Sequence, residues 1–283
     1  MWTHGCILWQ PIHTAHGVKG GVMQPIGFIG AGTMAEAIIS GLLRKTLLPP
    51  RDIIVFDIKP GRMEHMKNTY GVEVARTPRE LVLARDVIVL SVKPDQILKV
   101  LAEIGTDLTG KLVISIAAGI TLGSMLDILG SDARVIRVLP NTPSLVLEGA
   151  SVMAASPSCS EQERDAARTI FSAVGMCLEM DERHINAVTA LSGSGPAFCF
   201  LFLEALSDGA VQAGLPRDVA LKLAAATMRG AATMMLDLKR HPGQLKDMVT
   251  SPSGTTIEGI AALESRGFRS AVIEAVSAAF RRA

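Results

Sequence analysis

From Gln24 to about Asp181 the chain alternates short, almost unbroken apolar runs with segments whose apolar positions recur every three or four residues. The runs are PIGFIG (25–30), DIIVFD (52–57), DVIVLSV (86–92), KLVISIAAG (111–119) and ARVIRVLP (133–140), with weaker ones at GASVMAAS (149–156) and GMCLEM (175–180). Strands with so few polar alternations are buried on both faces, as in a parallel sheet covered by helices. Between them, TMAEAIISGLL (33–43) puts Met34, Ala37, Ile38, Gly41 and Leu42 on one helical side. In TPRELVLA (77–84), Thr77 is placed to cap a short helix and Pro78 to occupy its first turn.

After about Glu182 the strand signals stop. Long helical stretches follow, with Pro196, Pro216 and Pro242 where helices should start and Gly214 where one should stop. The pattern therefore predicts an α/β domain over 24–182 and an all-α domain over 183–283. The stretch LKLAAATMRGAATMMLDL is apolar on most of its circumference. About a hundred residues of helix cannot cover such a surface alone, so packing against a second subunit is expected.

Composition narrows the function classes. Hydrophobic residues make up 48% and aromatics 4%, so aliphatic side chains and methionine must fill the core. The formal net charge of +1 leaves no electrostatic footprint for nucleic acid or an anionic membrane. Cys6, Cys159, Cys177 and Cys199 have neither metal-ligand nor redox-pair spacing, so they read as small hydrophobes in a reducing compartment, the cytoplasm, with no metal site. The apolar stretch from Ile185 to Leu203 is interrupted by SGSGP, which argues against a membrane span. Residues 1–23, with His4, His13 and His16, show no period and no secretory pattern; they read as a disordered extension, with the functional protein beginning near Met23.

Chemistry concentrates in four places. IGFIGAGTMAEA holds Gly-x-Gly-x-x-Ala after a strand and at the opening of a helix. Gly30 permits the tight turn, Gly32 lets a pyrophosphate approach the backbone, and Ala35 allows helix to pack on strand. Free N–H groups of the helix start, near Thr33 and Met34, supply an anion site. Asp57 ends the second strand, where an acidic side chain can bond the ribose hydroxyls of NAD, whereas Lys59 and Arg62 just beyond could hold a 2′-phosphate. These residues leave NADH and NADPH both open. Two further turns, Val92-Lys93-Pro94 and Ala117-Ala118-Gly119, follow strands at the sheet's carboxyl edge, where ligands of open α/β sheets bind. Asn141–Pro143 ends the fifth strand on that edge and is a candidate to touch nicotinamide or substrate.

The fourth place is TSPSGTTIEGIAALE, from Thr250 to Glu264. Ser253, Thr255 and Thr256 surround Gly254 at the start of a helix. Capping needs one hydroxyl; several around a glycine suit a small anion, held by free helix N–H groups in a curled backbone nest.

GFIGAGTMAEA, VKP, AAGI, RVLPNTP, LSGSGPAF, HPGQLKDMVTSPSGTTIEGIAALE and GFRSAVIEAV occur in this order. Together they resemble the pyrroline-5-carboxylate reductases, over roughly Gln24 to Phe280. The resemblance implies an α/β Rossmann-like N-terminal domain and an all-α C-terminal dimerisation domain, a homodimer, and in many members a decamer of five dimers. It implies NADPH or NADH as hydride donor and a five-membered cyclic imine bearing one carboxylate as substrate, with L-proline as product. Gly30–Met34, with Ala31 and Gly32, match the phosphate turn; Val92–Pro94 and Ala117–Gly119 match loops beside the cofactor. Gly254, Thr255 and Thr256 match the substrate loop, and Thr256 stands where the family places a hydroxyl near the imine nitrogen. Ser192 and Ser194 are further candidates to face the substrate. Where many NADPH-using members have small polar residues after the second strand, this chain has Asp57 and then Lys59.

Overall fold

The computed structural model describes residues 23–283. The readings of His4, Cys6, His13, His16 and the rest of the leading segment lie outside the described residues. The chain divides into two compact units, one ending at Gly193 and one running from Ser194 to Ala279. The expected domain boundary lay eleven residues earlier, at 182/183.

The first unit is one eight-stranded sheet in the order β3-β2-β1-β4-β5-β6-β7-β8. Its strands are β1 (Ile26–Ile29), β2 (Ile53–Phe56), β3 (Glu73–Val74), β4 (Val87–Leu90), β5 (Leu112–Ser115), β6 (Arg134–Leu139), β7 (Gly149–Ala155) and β8 (Gly175–Glu179). Through β6 every pairing is parallel. This is the strand order of a dinucleotide-binding sheet, with its topological switch between β1 and β4. The all-parallel expectation fails at β7, which runs antiparallel to β6. The link between them carries only a 3₁₀ turn, Thr142–Val146, and is too short for a crossover, so the chain must reverse.

Helices cover both faces. α1 (Thr33–Arg44), α2 (Pro60–Tyr70) and α6 (Glu161–Ser172) bury Ile38, Leu42, Met66 and Phe171 on one side with Ile26 and Phe28 of β1. α3 (Pro78–Ala84), α4 (Pro94–Ile104) and α5 (Leu122–Leu129) bury Leu81, Leu101 and Met125 on the other with Ile29 and Ile88. Successive strand residues thus feed opposite cores, which is why the strands read as unbroken apolar runs. Thr77 caps α3 as expected, its hydroxyl accepting from the Glu80 N–H at 3.1 Å. The short helix α7 (Ile185–Val188) leads into a π turn, Thr189–Gly193.

The helical unit contains α8 (Gly195–Gln212), α9 (Arg217–Leu238), α10 (Pro242–Met248), α11 (Thr255–Ser265) and α12 (Phe268–Arg282). Pro196 and Pro242 lie in the first turns of α8 and α10, and Pro216 immediately precedes α9. Arg217 ties α9 to α8, donating to Ser207 Oγ at 2.9 Å and pairing with Asp208. Few side chains of these helices are buried; Phe200, Leu201, Leu223 and Ile273 are exposed. The stretches Glu182–Gln212 and Arg217–Leu238 are long and apolar enough to cross a membrane by length and composition. Within SGSGP, Ser192 and Gly193 end the π turn, Ser194 is a bend, and α8 begins at Gly195.

Candidate functional site

The glycine-rich turn joins β1 to α1. Gly30 has φ +97°, and its N–H donates to the Phe56 carbonyl at 2.7 Å. A Cβ there would lie 2.6 Å from the Ser91 carbonyl oxygen, so glycine is needed for both conformation and space. Gly32 has an ordinary φ of −71°, and a Cβ would meet nothing within 4 Å. That open face lets a pyrophosphate reach the backbone. No side chain caps α1, which leaves first-turn N–H groups of Thr33 and Met34 available to an anion. Ala35 is fully buried against the core, as its place in the motif requires.

Asp57 is drawn into the turn itself. Its Oδ2 accepts the Ala31 N–H at 2.8 Å and its Oδ1 the Lys59 N–H at 2.9 Å. Arg62, read from the sequence as open to a 2′-phosphate, donates from Nε to the Ala31 carbonyl at 2.8 Å and pairs with Glu36 at 2.6 Å. Lys59 is exposed.

Ser91, immediately after β4, donates from N to the Ile29 carbonyl at 2.8 Å and from Oγ to the Gly30 carbonyl at 2.5 Å. It links the turn to the Val92-Lys93-Pro94 loop, in which Lys93 is the N-cap of α4 and Pro94 its first residue. The second loop follows β5: Ala117 is buried, Ala118 and Gly119 are exposed, and Gly119 has φ +76°. The phosphate turn and both loops therefore stand at the carboxyl ends of β1, β4 and β5, around the switch point. Sequence reasoning missed Ser91 and Glu36; the only trace of either is a polar residue beside an apolar run.

At the end of β6, Asn141 does not present its amide to a ligand. Its Nδ2 donates to the Ser192 carbonyl at 3.0 Å and its Oδ1 accepts the Ala150 N–H at 2.8 Å. Glu182 is a second unforeseen anchor. Its Oε1 accepts from the Leu122 N–H and from Arg137 Nη1, both at 2.8 Å.

In the helical unit, α11 opens at Thr255 with Gly254 as N-cap and no side-chain cap hydrogen bond. The hydroxyls of Ser253, Thr255 and Thr256 are exposed and have no hydrogen-bond partner among the described residues. Capping does not explain them. The curl expected at Gly254 lies one residue earlier: Ser253 has φ +56°, while Gly254 is extended at φ −82°. A Cβ at Gly254 would displace the exposed Ser251 hydroxyl and then lie 3.2 Å from the Ser251 carbonyl oxygen. Ser194 is half-buried directly before α8, and its carbonyl accepts the Ala197 N–H at 3.0 Å.

Residues 182–283 match the family described as pyrroline-5-carboxylate reductase dimerisation, which assigns the helical unit to self-association. Residues 25–119 match the family described as NADP oxidoreductase, coenzyme F420-dependent. Among curated relatives, pyrroline-5-carboxylate reductase of Arabidopsis thaliana is 46% identical over 91% of this chain and 93% of its own. The Escherichia coli protein of that name is 41% identical over 90% and 95%. Among solved structures, a pyrroline-5-carboxylate reductase of Coxiella burnetii superposes with a TM-score of 0.88 at 38% identity, covering 92% of this chain and 97% of its own. A pyrroline carboxylate reductase of Plasmodium falciparum with NADP bound superposes at 0.82 with 32% identity, covering 93% and 98%.

Proposed function

The chain belongs to the pyrroline-5-carboxylate reductase family, and we propose that it reduces 1-pyrroline-5-carboxylate to L-proline with NADPH or NADH, the last step of proline synthesis. The observation that carries this reading is the opening of α11. A helix start without a side-chain cap, beside three hydroxyls unpartnered among the described residues, suits a small carboxylate.

The phosphate turn fits a dinucleotide. Gly32 is open, the first turn of α1 is uncapped, and Ala31 is anchored by Asp57. Gly32, Thr33 and Met34 would hold the pyrophosphate through their N–H groups, with Gly30 and Ala31 shaping the turn behind them, their own N–H groups being taken by Phe56 and Asp57; Asp57 would meet the ribose. Val92, Lys93, Pro94, Ala117, Ala118 and Gly119 would flank the nicotinamide half. A bound NADPH or NADH supplies hydride to the imine carbon.

The remaining work falls to the chain's own residues. N–H groups of Thr255 and Thr256 bind the substrate carboxylate, with Ser253, Gly254 and Ser194 shaping its pocket. The Thr256 hydroxyl holds a proton at the imine nitrogen, because positive charge on nitrogen makes the neighbouring carbon a better hydride acceptor. Holding two reactants in fixed contact contributes most of the rate.

Self-association takes the form of a homodimer, with decamers of five dimers as the larger assembly. Burial between subunits accounts for the exposed Phe200, Leu201 and Leu223 without a membrane, and the enzyme works in the cytoplasm without a nucleic-acid partner. Steady-state oxidation of NADH and NADPH with pyrroline-5-carboxylate tests the reading. Turnover that requires the cyclic imine is expected. Folded protein that binds dinucleotide but turns over neither cofactor would overturn it.

A further inference from the structure

Charged side chains hold the backbone of Ala31 at both its N–H and its carbonyl. Asp57 Oδ2 takes its N–H and Arg62 Nε reaches its carbonyl, each at 2.8 Å. Arg62 is itself held. Its Nη2 donates to Glu36 Oε2 at 2.6 Å, while Glu36 Oε1 accepts from the Tyr70 hydroxyl at 3.0 Å and lies 2.7 Å from His65 Nε2. Glu36 sits in the first turn of α1, and Arg62, His65 and Tyr70 all belong to α2. One carboxylate thus gathers three side chains of α2 beside the phosphate turn.

This arrangement bears on the dinucleotide's ribose. With Nε on a backbone carbonyl and Nη2 on a carboxylate, one edge of this guanidinium is fully used, its charge is offset and its direction fixed, so it gains less from a second anion than a free guanidinium would. Asp57, on the N–H of the same residue, presents negative charge that a 2′-phosphate would meet unfavourably. Lys59 is the remaining basic side chain at the end of β2, exposed and without a side-chain partner among the described residues.

Resting on the reading that this turn takes a dinucleotide, we propose that Glu36 is a specificity-determining positioning residue. By holding Arg62 against the Ala31 carbonyl, it withholds the guanidinium from a ribose 2′-phosphate and lowers the use of NADPH relative to NADH. Glu36→Gln keeps the size of the side chain and removes the charge that holds Arg62.

The test is calorimetric Kd for NAD⁺ and NADP⁺, with kcat/KM for NADH and NADPH, on the full chain, Glu36→Gln and Arg62→Ala. In Glu36→Gln the NADP⁺ to NAD⁺ affinity ratio should move toward NADP⁺ by about tenfold, the effect of one added charge-assisted hydrogen bond. In Arg62→Ala both dinucleotides should weaken in parallel, because only the anchor on Ala31 is lost. A ratio unchanged in Glu36→Gln overturns the proposal. So does selective loss of NADP⁺ binding in Arg62→Ala, which reports independently should the first variant fold poorly. Wild-type protein that binds neither dinucleotide would overturn the underlying reading of the turn as well.

Discussion

The side-chain amide of Asn141 bridges the Ala150 N–H and the Ser192 carbonyl, joining the end of β6 to the π turn before Ser194. Asn141 is 9% exposed, so neither bond is readily replaced by water. Asn141→Asp keeps the acceptor for Ala150 but sets a carboxylate oxygen against the Ser192 carbonyl. The expected cost is about 1–3 kcal/mol, that of a buried group without its partner. On the proposed substrate role of Ser194, the residue that follows the π turn, KM for the imine should rise while the dinucleotide Kd stays constant. Asn141→Ala should be milder. Equal effects of Asn141→Asp on both ligands would contradict a role confined to the π turn.

Gly30 and Gly32 should separate folding from binding. Gly30→Ala forces a Cβ at φ +97° to within 2.6 Å of a backbone carbonyl oxygen. A loss of stability of about 1–3 kcal/mol is expected, together with weaker dinucleotide binding. Gly32→Ala meets no protein atom within 4 Å and has an ordinary φ. It should melt like wild type yet raise the dinucleotide Kd by about tenfold or more through the methyl in the pyrophosphate's path. Thermal melts and titrations on both variants check the contrast.

Acid should reveal the Glu36 cluster. Burial raises the Glu36 pKa, but hydrogen bonds from Arg62, His65 and Tyr70 outweigh it and bring the carboxyl from 4.5 to about 2. Burial and the Glu36 carboxylate together raise Tyr70. A depressed carboxyl binds fewer protons folded than unfolded. Its stabilisation is therefore complete above about pH 4.5 and is lost as pH falls toward 2. The stability difference between wild type and Glu36→Gln should be constant near neutrality and shrink across that window. A difference that grows on acidification would reverse the assignment.

What the sequence made legible follows from physics that acts over short distances. Apolar runs marked seven of the eight strands; in all but the edge strand β8, where only Cys177 is buried, burial on both faces excludes polar alternation. The third, Glu73–Val74, has only two residues and an exposed Glu73, and leaves no such mark. Strand direction was not legible: β6 and β7 are alike as apolar runs, and the short link between them sets the reversal. Helix α2 buries only Met66 and carries little periodic signal. Gly30, Gly32 and the opening of α11 were legible because glycine and clustered hydroxyls act within a few residues. The Glu36–Arg62 pair, the Asn141 bridge and Glu182 join positions 26, 51 and 60 residues apart, and no local pattern records them. At the substrate loop the left-handed residue is Ser253, so composition located the turn without fixing which residue bends.

Glu182 should be more sensitive than its partly exposed carboxylate suggests. Arg137 is 4% exposed, its Nε lacks a partner among the described residues, and its ion pair is with Glu182 at 2.8 Å. Glu182→Ala leaves a buried guanidinium without its counter-charge, at an expected cost of about 3–5 kcal/mol. It also frees the Leu122 N–H at the start of α5, three residues beyond Gly119. Adding Arg137→Met should recover most of the loss, since an apolar replacement removes the charge as well. Chemical unfolding of both single variants and the double variant reads the coupling directly. Losses that simply add would mean that the two side chains act separately.

Thr256 carries the chemical prediction. Its hydroxyl is exposed at the uncapped start of α11 and has no protein partner among the described residues. Thr256→Ala should fold normally and bind dinucleotide as wild type does. Turnover should fall by about 10–100-fold, toward the low end of what a proton-handling group contributes. Thr256→Ser keeps the hydroxyl and should retain most of the rate. The deficit of Thr256→Ala should narrow at lower pH, where more of the imine is already protonated in solution. A pH-independent deficit would make Thr256 a contact for the carboxylate, and an undiminished rate would remove it from the mechanism.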